Sequence, residues 1–387
     1  MNRAPNPSSG IPVYLDFNAT TPVAPDVVTA MAPFWTDHFY NPSAAYPEAV
    51  TVHAAVDTAR AAVATLLGAD VQSIVWTSGG TESNNWVLHG IWRSRPSHRR
   101  RVVLSAIEHP AVTETAAALE SLGAEIVTIP VDSRGVLRLD VLDAVLDEQT
   151  ALISVMLANH EIGTLQPVAE VARRAHAVGA WVHTDAAQAI GKIPVDVKTL
   201  GVDFLSVAGH KFYAPKGIGV LYIRPGVALP PFLMGGGQQE GRRSGTEPVP
   251  LIVGLGKAAE LAHTGLQDGW PGRQAVLRDS LESQLREASP ALVIFGTRAE
   301  RLPNTVAIAH PGWTGSTLLA ACPQIRAGTG SACHHPDDTG SPTLRAMGMA
   351  PELARGLVRL SLGRETTAED LEVAVTALTQ AIQQRST

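Results

Sequence analysis

The chain has 387 residues, which is too long for one small core and predicts two domains. Its hydrophobic fraction of 45% and charged fraction of 17% are those of an ordinary soluble globular protein, and its net charge of −6 argues against a surface that mainly binds nucleic acid. Its two cysteines, Cys322 and Cys333, exclude a disulfide framework, indicate a reducing compartment such as the cytoplasm, and match no common spacing of zinc ligands.

The chain begins with a polar, proline-rich segment, residues 1–12, that lacks the apolar core of a signal peptide. We predict a disordered lead there. No apolar run in the sequence reaches the length of a membrane span, so no contact with a membrane is expected.

Short runs rich in β-branched residues alternate with stretches of helical periodicity, such as Val50–Leu67 and Val168–Val178. The runs are Ser73–Thr77, Arg101–Ser105, Glu125–Pro130, Ala151–Met156, Ala180–Thr184, Asp203–Val207 and Gly219–Ile223. Such alternation predicts an α/β fold with a mainly parallel, seven-stranded sheet and helices on both faces.

The pattern changes after Gly235–Gly237 and a long helical stretch, Leu251–Leu266. The later segments are a helix at Arg273–Glu287, strands near Ala291–Phe295 and Thr305–His310, a glycine-rich loop at Ala327–Ala332 and a final helix at Ala368–Gln384. We predict a large domain of residues 16–255. A smaller α+β domain would comprise residues 256–387 together with residues 1–15, which include the lead.

Groups that could bind a ligand follow the first two predicted strands. Gly80 and Thr81 belong to a glycine-rich turn that opens a helix, where free N–H groups can bind phosphate, although a simple helix cap has the same sequence. His109 follows the next strand, where its flat imidazole could stack on a cofactor ring and shuttle protons. The alternative for His109 is a polar side chain satisfied within the fold.

An acid and a primary amine end two further predicted strands. Asp185 closes the run HTD and Lys211 follows the run that ends in GHK. Because ligands of open α/β sheets sit at the carboxyl ends of the strands, we expect both groups at one edge. An amine that forms a Schiff base and an acid that holds a pyridinium nitrogen are the two protein groups that pyridoxal phosphate (PLP) needs. A turn-capping Asp and a surface Lys are the alternative for either residue alone.

Cys333 lies in a loop of small residues and is followed by two histidines, His334 and His335. Neighbouring imidazoles favour a nucleophilic thiolate, whereas the acids that follow at Asp337 and Asp338 oppose it. Three adjacent residues rarely ligate one ion, so we expect no metal site here. The other cysteine, in the apolar stretch LLAAC, is predicted to lie in the core.

Arg359 lies in an alternating, strand-like segment near the end of the chain. A guanidinium there can bind a carboxylate with two parallel hydrogen bonds. A surface ion pair is the alternative.

Taken together, these motifs resemble the cysteine desulfurases and selenocysteine lyases, which are class V aminotransferases of PLP fold type I. The resemblance runs from Val13 to Arg364, nearly the whole chain. The most specific stretches are TSGGTESNN, HTDAAQAIGK, GHKFYAPKGIG, GGGQQEGRRSGTEP, GSACHH and VRLSLGR.

The resemblance implies roles for residues around the ring of the cofactor. Lys211 would be the Schiff-base lysine, Asp185 would pair with the pyridine nitrogen, Gln188 would reach the phenolic oxygen, and His109 would stack on the ring. At the other end of the cofactor, Gly80, Thr81 and His210 would hold the phosphate. Thr246 would reach the phosphate from a partner subunit, which implies a homodimer with sites at the interface.

The resemblance also implies substrate contacts and shows departures from the family pattern. Arg359 would bind the substrate carboxylate, Asn159 would contact the substrate, and Cys333 would take the sulfur. His160 replaces the Asn that normally helps to hold the substrate and the ring oxygen. Ala208 replaces a serine that often binds the phosphate, and Tyr46 replaces the usual desulfurase His, which is more like the selenocysteine lyases.

The resulting hypothesis is a PLP-dependent cysteine desulfurase that converts L-cysteine to L-alanine and carries the sulfur on Cys333 as a persulfide, for delivery to a sulfur-acceptor protein. The alternative is a selenocysteine lyase that acts on L-selenocysteine. Another class V enzyme, such as a decarboxylase or aminotransferase, is opposed by Cys333, and a non-catalytic scaffold is opposed by the presence of Lys211, Asp185 and Cys333.

Overall fold

The computed structural model describes residues 12–330 and 340–385. The strands in these ranges are β1 (Val13–Tyr14), β2 (Ile74–Thr77), β3 (Arg101–Ser105), β4 (Glu125–Ile129), β5 (Thr150–Ser154), β6 (Trp181–Asp185), β7 (Phe204–Ala208), β8 (Gly219–Ile223), β9 (Val293–Phe295), β10 (Thr305–Ala309), β11 (Ile325–Arg326) and β12 (Val358–Ser361). The helices are α1 (Pro25–Met31), α2 (Pro33–Thr36), α3 (Pro47–Leu67), α4 (Gly80–Ser94), α5 (Pro110–Glu120), α6 (Leu139–Val145), α7 (Val168–Ala177), α8 (Val197–Leu200), α9 (Val249–Gln267), α10 (Trp270–Ala288), α11 (Gly315–Ala320), α12 (Pro342–Ala346), α13 (Pro351–Arg355) and α14 (Ala368–Arg385).

The main sheet has seven strands in the order β2-β8-β7-β6-β5-β3-β4. Only β8 runs antiparallel to its neighbours, β2 and β7. Each of the seven predicted runs forms one of these strands, with ends displaced by a residue or so. The predicted α/β fold with a mainly parallel, seven-stranded sheet is therefore confirmed.

Helices cover both faces of this sheet, as the alternation of side chains along the strands requires. Ile74, Val103 and Leu205 point to one face and pack in a core cluster with α3, α7 and α9. Their chain neighbours Val75 and Phe204 pack in a second cluster with α4 and α5 on the opposite face. Six of the seven short β-branched runs were thus signals of strands buried on both sides, whereas β4 lies at the edge of the sheet and is partly exposed.

Helix α3 differs from one expectation. In the part of the chain that the structure describes, it alone is long and apolar enough to span a membrane by length and composition, whereas the sequence was expected to contain no such segment. Its buried positions, which include Val52, Val56, Ala59 and Val63, recur at helical spacing and pack in the cluster that contains α9. One-sided burial of this kind is the pattern of a core helix.

A second, antiparallel sheet has the order β12-β10-β9 and shares a separate core cluster with α10 and α14. Strand β1 pairs in parallel with β11, and Leu15 packs in that same cluster, so the start of the described chain joins the later segments. Residue 256 falls inside α9, whose Ala258 and Ala262 belong to the core cluster on one face of the large sheet. The division into domains stays a prediction.

Candidate active site

The predicted site residues lie at one edge of the main sheet. Strands β2, β3, β5, β6 and β7 run in the same direction, so their carboxyl ends meet at that edge. The residues that end these strands or follow them are Gly80, His109, His160, Asp185 and Lys211. The parallel order of the strands therefore brings together groups that are far apart in the sequence.

Lys211 ends a short 3₁₀ turn, Gly209–Lys211, directly after β7. Its Nζ donates hydrogen bonds of 2.8 Å to the carbonyl oxygens of Asn18 and Ala19. Burial, followed by the nearby Arg359 guanidinium, lowers the pKa of Lys211 to about 8. A larger fraction of the amine is therefore unprotonated near neutral pH than in a free lysine, which suits a nucleophile or a base.

Asp185 is 7% exposed at the end of β6. Its Oδ2 accepts a hydrogen bond of 2.7 Å from Asn84 Nδ2, and its Oδ1 accepts one of 2.9 Å from the backbone N–H of Ala187. Burial lowers the pKa of both Lys211 and His109, and the negative charge of Asp185 partly offsets this lowering. The carboxylate therefore lies within electrostatic reach of both groups. Asn84, on α4, was not predicted as a site residue although it stands in the motif TESNN.

Two imidazoles lie beside these groups. The rings of His109 and His160 have their centroids 5.8 Å apart and meet edge to face. His109 Nδ1 accepts a hydrogen bond of 3.1 Å from the backbone of Ala111, which assigns its ring proton to Nε2 at neutral pH. Burial, and then His109, Arg359 and Lys211, lower the pKa of His160 well below its usual value. His160 is therefore neutral, and its Nδ1 is buried without a partner among the described residues.

The first turn of α4 presents backbone N–H groups to the same edge. The helix begins at Gly80 after Gly79, and no side chain caps it within the described chain. A Cβ at Gly80 would lie 3.4 Å from the Cβ of Ala208, so the small residue at 208 packs directly beneath this turn. A helix start of this kind attracts an anion.

His210 and Thr246 were predicted to join this anion site. His210 Nδ1 lies 3.1 Å from Thr20 Oγ1, and burial lowers the pKa of His210 to about 4, so the ring is neutral. Thr246 is exposed in the single chain, as is Thr81 at the start of α4.

Arg359 is 5% exposed in β12, so it is not a surface ion pair. Its Nη1 donates to the carbonyl oxygen of His160 at 2.8 Å, and its Nη2 donates to Asp16 Oδ1 at 2.6 Å. Its Nε is buried without a partner in the ranges the structure describes. Asp16 already binds the guanidinium with a carboxylate oxygen, so the position suits recognition of a carboxylate.

Asn159 is fully buried, and its side chain makes five hydrogen bonds within the fold, one of them a long bond from Nδ2 to Met156 Sδ at 3.6 Å. Its Nδ2 donates to Ile107 O and Thr343 Oγ1, and its Oδ1 accepts from the backbone N–H groups of Glu161 and Ile162. An amide has four such positions, so none is left for a substrate. This argues against the predicted substrate contact: Asn159 instead shapes the loop that carries His160.

Gln188 belongs to a buried polar cluster that the sequence did not reveal. Its Nε2 donates to the carbonyl oxygen of Asn18 at 2.9 Å, the same oxygen that accepts from Lys211. Its Oε1 accepts from Lys192 Nζ at 2.7 Å. Asn18 and Lys192 both lie in stretches that carry the resemblance, DFNATT and AAQAIGK, but neither was assigned a role.

The predicted sulfur acceptor, Cys333, lies outside the described residues, as do His334 and His335. Cys322 is fully buried and its Sγ donates to Ala377 O, which confirms the prediction of a core residue. Burial raises the pKa of its thiol to about 11, so it is unsuited to nucleophilic chemistry. In residues 12–330 and 340–385, no group of His, Cys, Asp and Glu side chains has the arrangement of a metal site.

Comparison with known proteins gives the family. The model of the family "Aminotransferase class-V" matches residues 13–373. The cysteine desulfurase IscS of Methanosarcina thermophila is 43% identical over 374 residues, which cover 96% of this chain and 92% of that protein.

Among solved structures, a NifS-like protein has a TM-score of 0.90 at 36% identity, covering 96% of this chain and 100% of that chain. The structure of SspA in complex with cysteine has a TM-score of 0.80 at 34% identity, covering 90% of this chain and 98% of that one. The chain therefore belongs to the aminotransferase class-V family, and within it to the group of cysteine desulfurases and selenocysteine lyases that its motifs resemble.

Proposed function

We propose that this protein is a PLP-dependent cysteine desulfurase that converts L-cysteine to L-alanine and carries the sulfur on Cys333 as a persulfide. The observation that carries the proposal is the placement of a partly buried amine, Lys211, and a buried acid, Asp185, at one edge of the sheet. The relatives that cover nearly the whole chain at about two-fifths identity are named cysteine desulfurases, which supports the same reaction.

The residues present fit PLP. Lys211 supplies the amine for the covalent link to its aldehyde, and Asp185 is held by Asn84 and Ala187 where it can keep a ring nitrogen protonated. The uncapped start of α4 suits the phosphate. Buried atoms without partners in the described chain, His160 Nδ1 and Arg359 Nε, offer further polar contacts to a cofactor and its substrate.

When bound, PLP stores the electron pair that remains when the Cα proton of the substrate leaves. Each residue then has one task. Arg359 binds the substrate carboxylate in exchange for Asp16, and the Lys211 amine removes the Cα proton. The neutral imidazole of His109, with its proton on Nε2, can donate at the same face. Asp185 would hold a proton on the ring nitrogen of the bound cofactor, so its effect would be on rate more than on binding.

The sulfur transfer balances without any added oxidant or reductant. The Cys333 thiolate attacks the sulfur of L-cysteine, an S–S bond forms and the C–S bond breaks. The electron pair of that bond stays on Cβ, which takes a proton to give the methyl group of L-alanine. One thiol and one cysteine thus become one persulfide and one alanine.

We further propose a homodimer and a sulfur-acceptor protein as partners. Thr246 is exposed in the single chain, which suits a residue that completes the site of a second copy. Large apolar side chains are also exposed, such as Trp35 at 59%, Phe39 at 67% and Met234 at 70%, and a subunit interface would bury side chains of this kind.

Mass spectrometry of Cys333 after incubation of the PLP-loaded protein with L-cysteine tests the proposal. We expect a mass increase of one sulfur atom on the Cys333 peptide together with formation of L-alanine. Cys333→Ala should abolish both, and Cys322→Ala is the matched control because its thiol is buried in the core.

Two results would contradict the desulfurase. Alanine release without a persulfide, with selenocysteine consumed much faster than cysteine and little affected by Cys333→Ala, would instead favour a selenocysteine lyase. A purified protein that neither takes up PLP nor is labelled at Lys211 by borohydride would contradict both activities.

A further inference from the structure

A second lysine, Lys192, is buried behind the candidate site and has no role in the reaction described above. Its side chain is 4% exposed, and it follows β6 in the stretch AAQAIGK. Its Nζ donates two hydrogen bonds of 2.7 Å, one to Asn18 Oδ1 and one to Gln188 Oε1. Lysine is almost never fully buried without a compensating arrangement, so this placement needs a reason.

The two partners of Lys192 are uncharged amides, so no carboxylate bound to its Nζ offsets a positive charge. Burial, and then Lys211 and Arg359, lower the pKa of Lys192 well below its usual value. A neutral amine has two N–H donors and one lone pair, and both donors are used by Asn18 and Gln188. Burial therefore favours the neutral form of this amine, and its two bonds to amide oxygens suit that form.

The bond from Lys192 decides the orientation of the Gln188 amide. A glutamine amide can turn over, and its hydrogen-bond partners determine which side carries the oxygen. Because Oε1 accepts from Lys192, Nε2 must lie on the other side, where one of its N–H groups donates to Asn18 O at 2.9 Å. The second N–H has no bond to another described residue and remains for the cofactor.

Asn18 joins the two amines. Its carbonyl oxygen accepts from Lys211 Nζ, and its side-chain oxygen accepts from Lys192 Nζ. Its Nδ2 donates to Thr305 Oγ1 on β10, at 2.9 Å, and its backbone N–H donates to Ser361 Oγ on β12. The residue that seats Lys211 is therefore itself held by Lys192 and by the antiparallel sheet.

We propose that Lys192 is a positioning residue of this site: through Gln188 and Asn18 it orients the donor that faces the phenolic oxygen of the cofactor and the carbonyl that seats Lys211. The inference rests on the proposed function, because the orientation matters only if PLP binds at Lys211. It adds to that function a second lysine that never touches the substrate.

The visible absorbance of the PLP-loaded protein, titrated with pH, tests the inference. A donor to the phenolic oxygen competes for that oxygen with the protonated nitrogen that links Lys211 to the cofactor. Loss of the donor therefore strengthens the remaining internal bond, and the linked nitrogen keeps its proton to higher pH. For Lys192→Met we expect the titration midpoint to rise by about one pH unit, since one hydrogen bond and one pKa unit are of similar free energy.

Three variants and a folding measurement separate positioning from simple loss of stability. Lys192→Gln keeps a neutral donor and should give a smaller shift than Lys192→Met. Lys198→Met, at an exposed lysine on α8, should titrate as the unaltered protein does. Thermal unfolding of each loaded variant reports stability, and a purely structural role would lower the unfolding temperature without moving the titration midpoint.

The outcomes are distinct. An unchanged midpoint in Lys192→Met would overturn the inference while the proposed function stands; if Lys192→Met does not fold, Lys192→Leu, which also lacks a donor, takes its place. If the unaltered protein shows no visible cofactor band and no borohydride-stable label on Lys211, the proposed function fails, and the inference fails with it.

Discussion

Lys211, which is partly buried, and Lys192, which is buried, are two amines joined through one asparagine, yet they lie in different electrostatic surroundings. The pKa of Lys211 is lowered by burial and Arg359, but Asp185 and Asp16 raise it again, and it remains at about 8. The pKa of Lys192 is lowered by burial, Lys211 and Arg359, and no acid among its causes opposes them. The carboxylates near Lys211 thus keep its pKa close enough to neutrality for proton exchange. Lys192 has no such carboxylate, so its amine serves only as a hydrogen-bond donor.

The largest expected effect follows from replacing Lys211, because only this lysine is proposed to bind PLP covalently. Lys211→Ala should lose the covalent link to PLP and lower the rate of alanine formation by at least about 10⁴-fold, because it removes both the nucleophile and the base. Lys192→Met should keep the link. Borohydride reduction followed by peptide mapping, together with an alanine assay, measures both. Lys216→Ala, at an exposed lysine in the same loop, is the control; a label that moved to Lys192 would contradict the assignment.

The next effect concerns the acid that sets Lys211 apart. Asp185→Asn should lower kcat about 10²- to 10³-fold, the usual loss when one preorganised electrostatic group is removed. In the cofactor-free protein it should also lower the pH at which Lys211 becomes reactive, because the Asp185 carboxylate raises the pKa of that amine. Steady-state kinetics and the pH dependence of PLP attachment give the two values.

Asp140→Asn is the control for this prediction, because Asp140 forms an exposed ion pair with Arg138 on α6. An unchanged kcat in Asp185→Asn would show that Asp185 has no role in the reaction. An unchanged pH of attachment would show that Asp185 does not act on Lys211 in the free protein.

Much of this fold and site could be predicted from the sequence, because both depend on local patterns. The β-branched runs mark strands, six of the seven buried on two faces, and parallel strands place the residues that follow them at one edge. Asp185 and Lys211 could therefore be placed together before any contact was known. Cys322 could be placed in the core for a similar reason, since its surroundings are apolar.

The buried polar cluster could not be predicted, because its partners come from four distant segments. Asn18 meets Gln188, Lys192, Lys211 and Thr305 only after the main sheet and the antiparallel sheet have come together. The same limit explains Asn159, whose polar amide suggested a ligand contact. Its partners include Ile107 and Thr343, which lie far away in the sequence.

A smaller effect tests Arg359, which lowers the pKa of both lysines. Arg359→Gln should raise KM for cysteine about 10- to 100-fold, because a charge-assisted hydrogen bond to the substrate carboxylate is lost. It should also raise the pH at which Lys211 attaches PLP, since Arg359 lowers the pKa of both amines. Arg298→Gln, at an exposed arginine, is the control. A rise in KM without any change in the attachment pH would show that Arg359 binds substrate but does not influence Lys211.

The smallest expected effect is on how steeply the free energy of unfolding rises with pH. Stability rises with pH wherever the unfolded chain binds more protons than the folded one. Burial, and then Lys211 and Arg359, lower the pKa of Lys192 well below its usual value in the folded chain, whereas the unfolded chain keeps this amine protonated up to about pH 10.4. Between the lowered pKa of the folded chain and about pH 10.4, Lys192 adds a rise of up to about 1.4 kcal/mol per pH unit to the free energy of unfolding. Lys192→Met should remove that contribution, measured as the difference from the unaltered cofactor-free protein in urea unfolding at pH 8 and pH 9. Lys198→Met should keep the slope, because its amine is exposed. Parallel pH dependences for Lys192→Met and the unaltered protein would mean that the folded protein holds Lys192 charged, and the contrast between the two lysines would then rest on their partners alone.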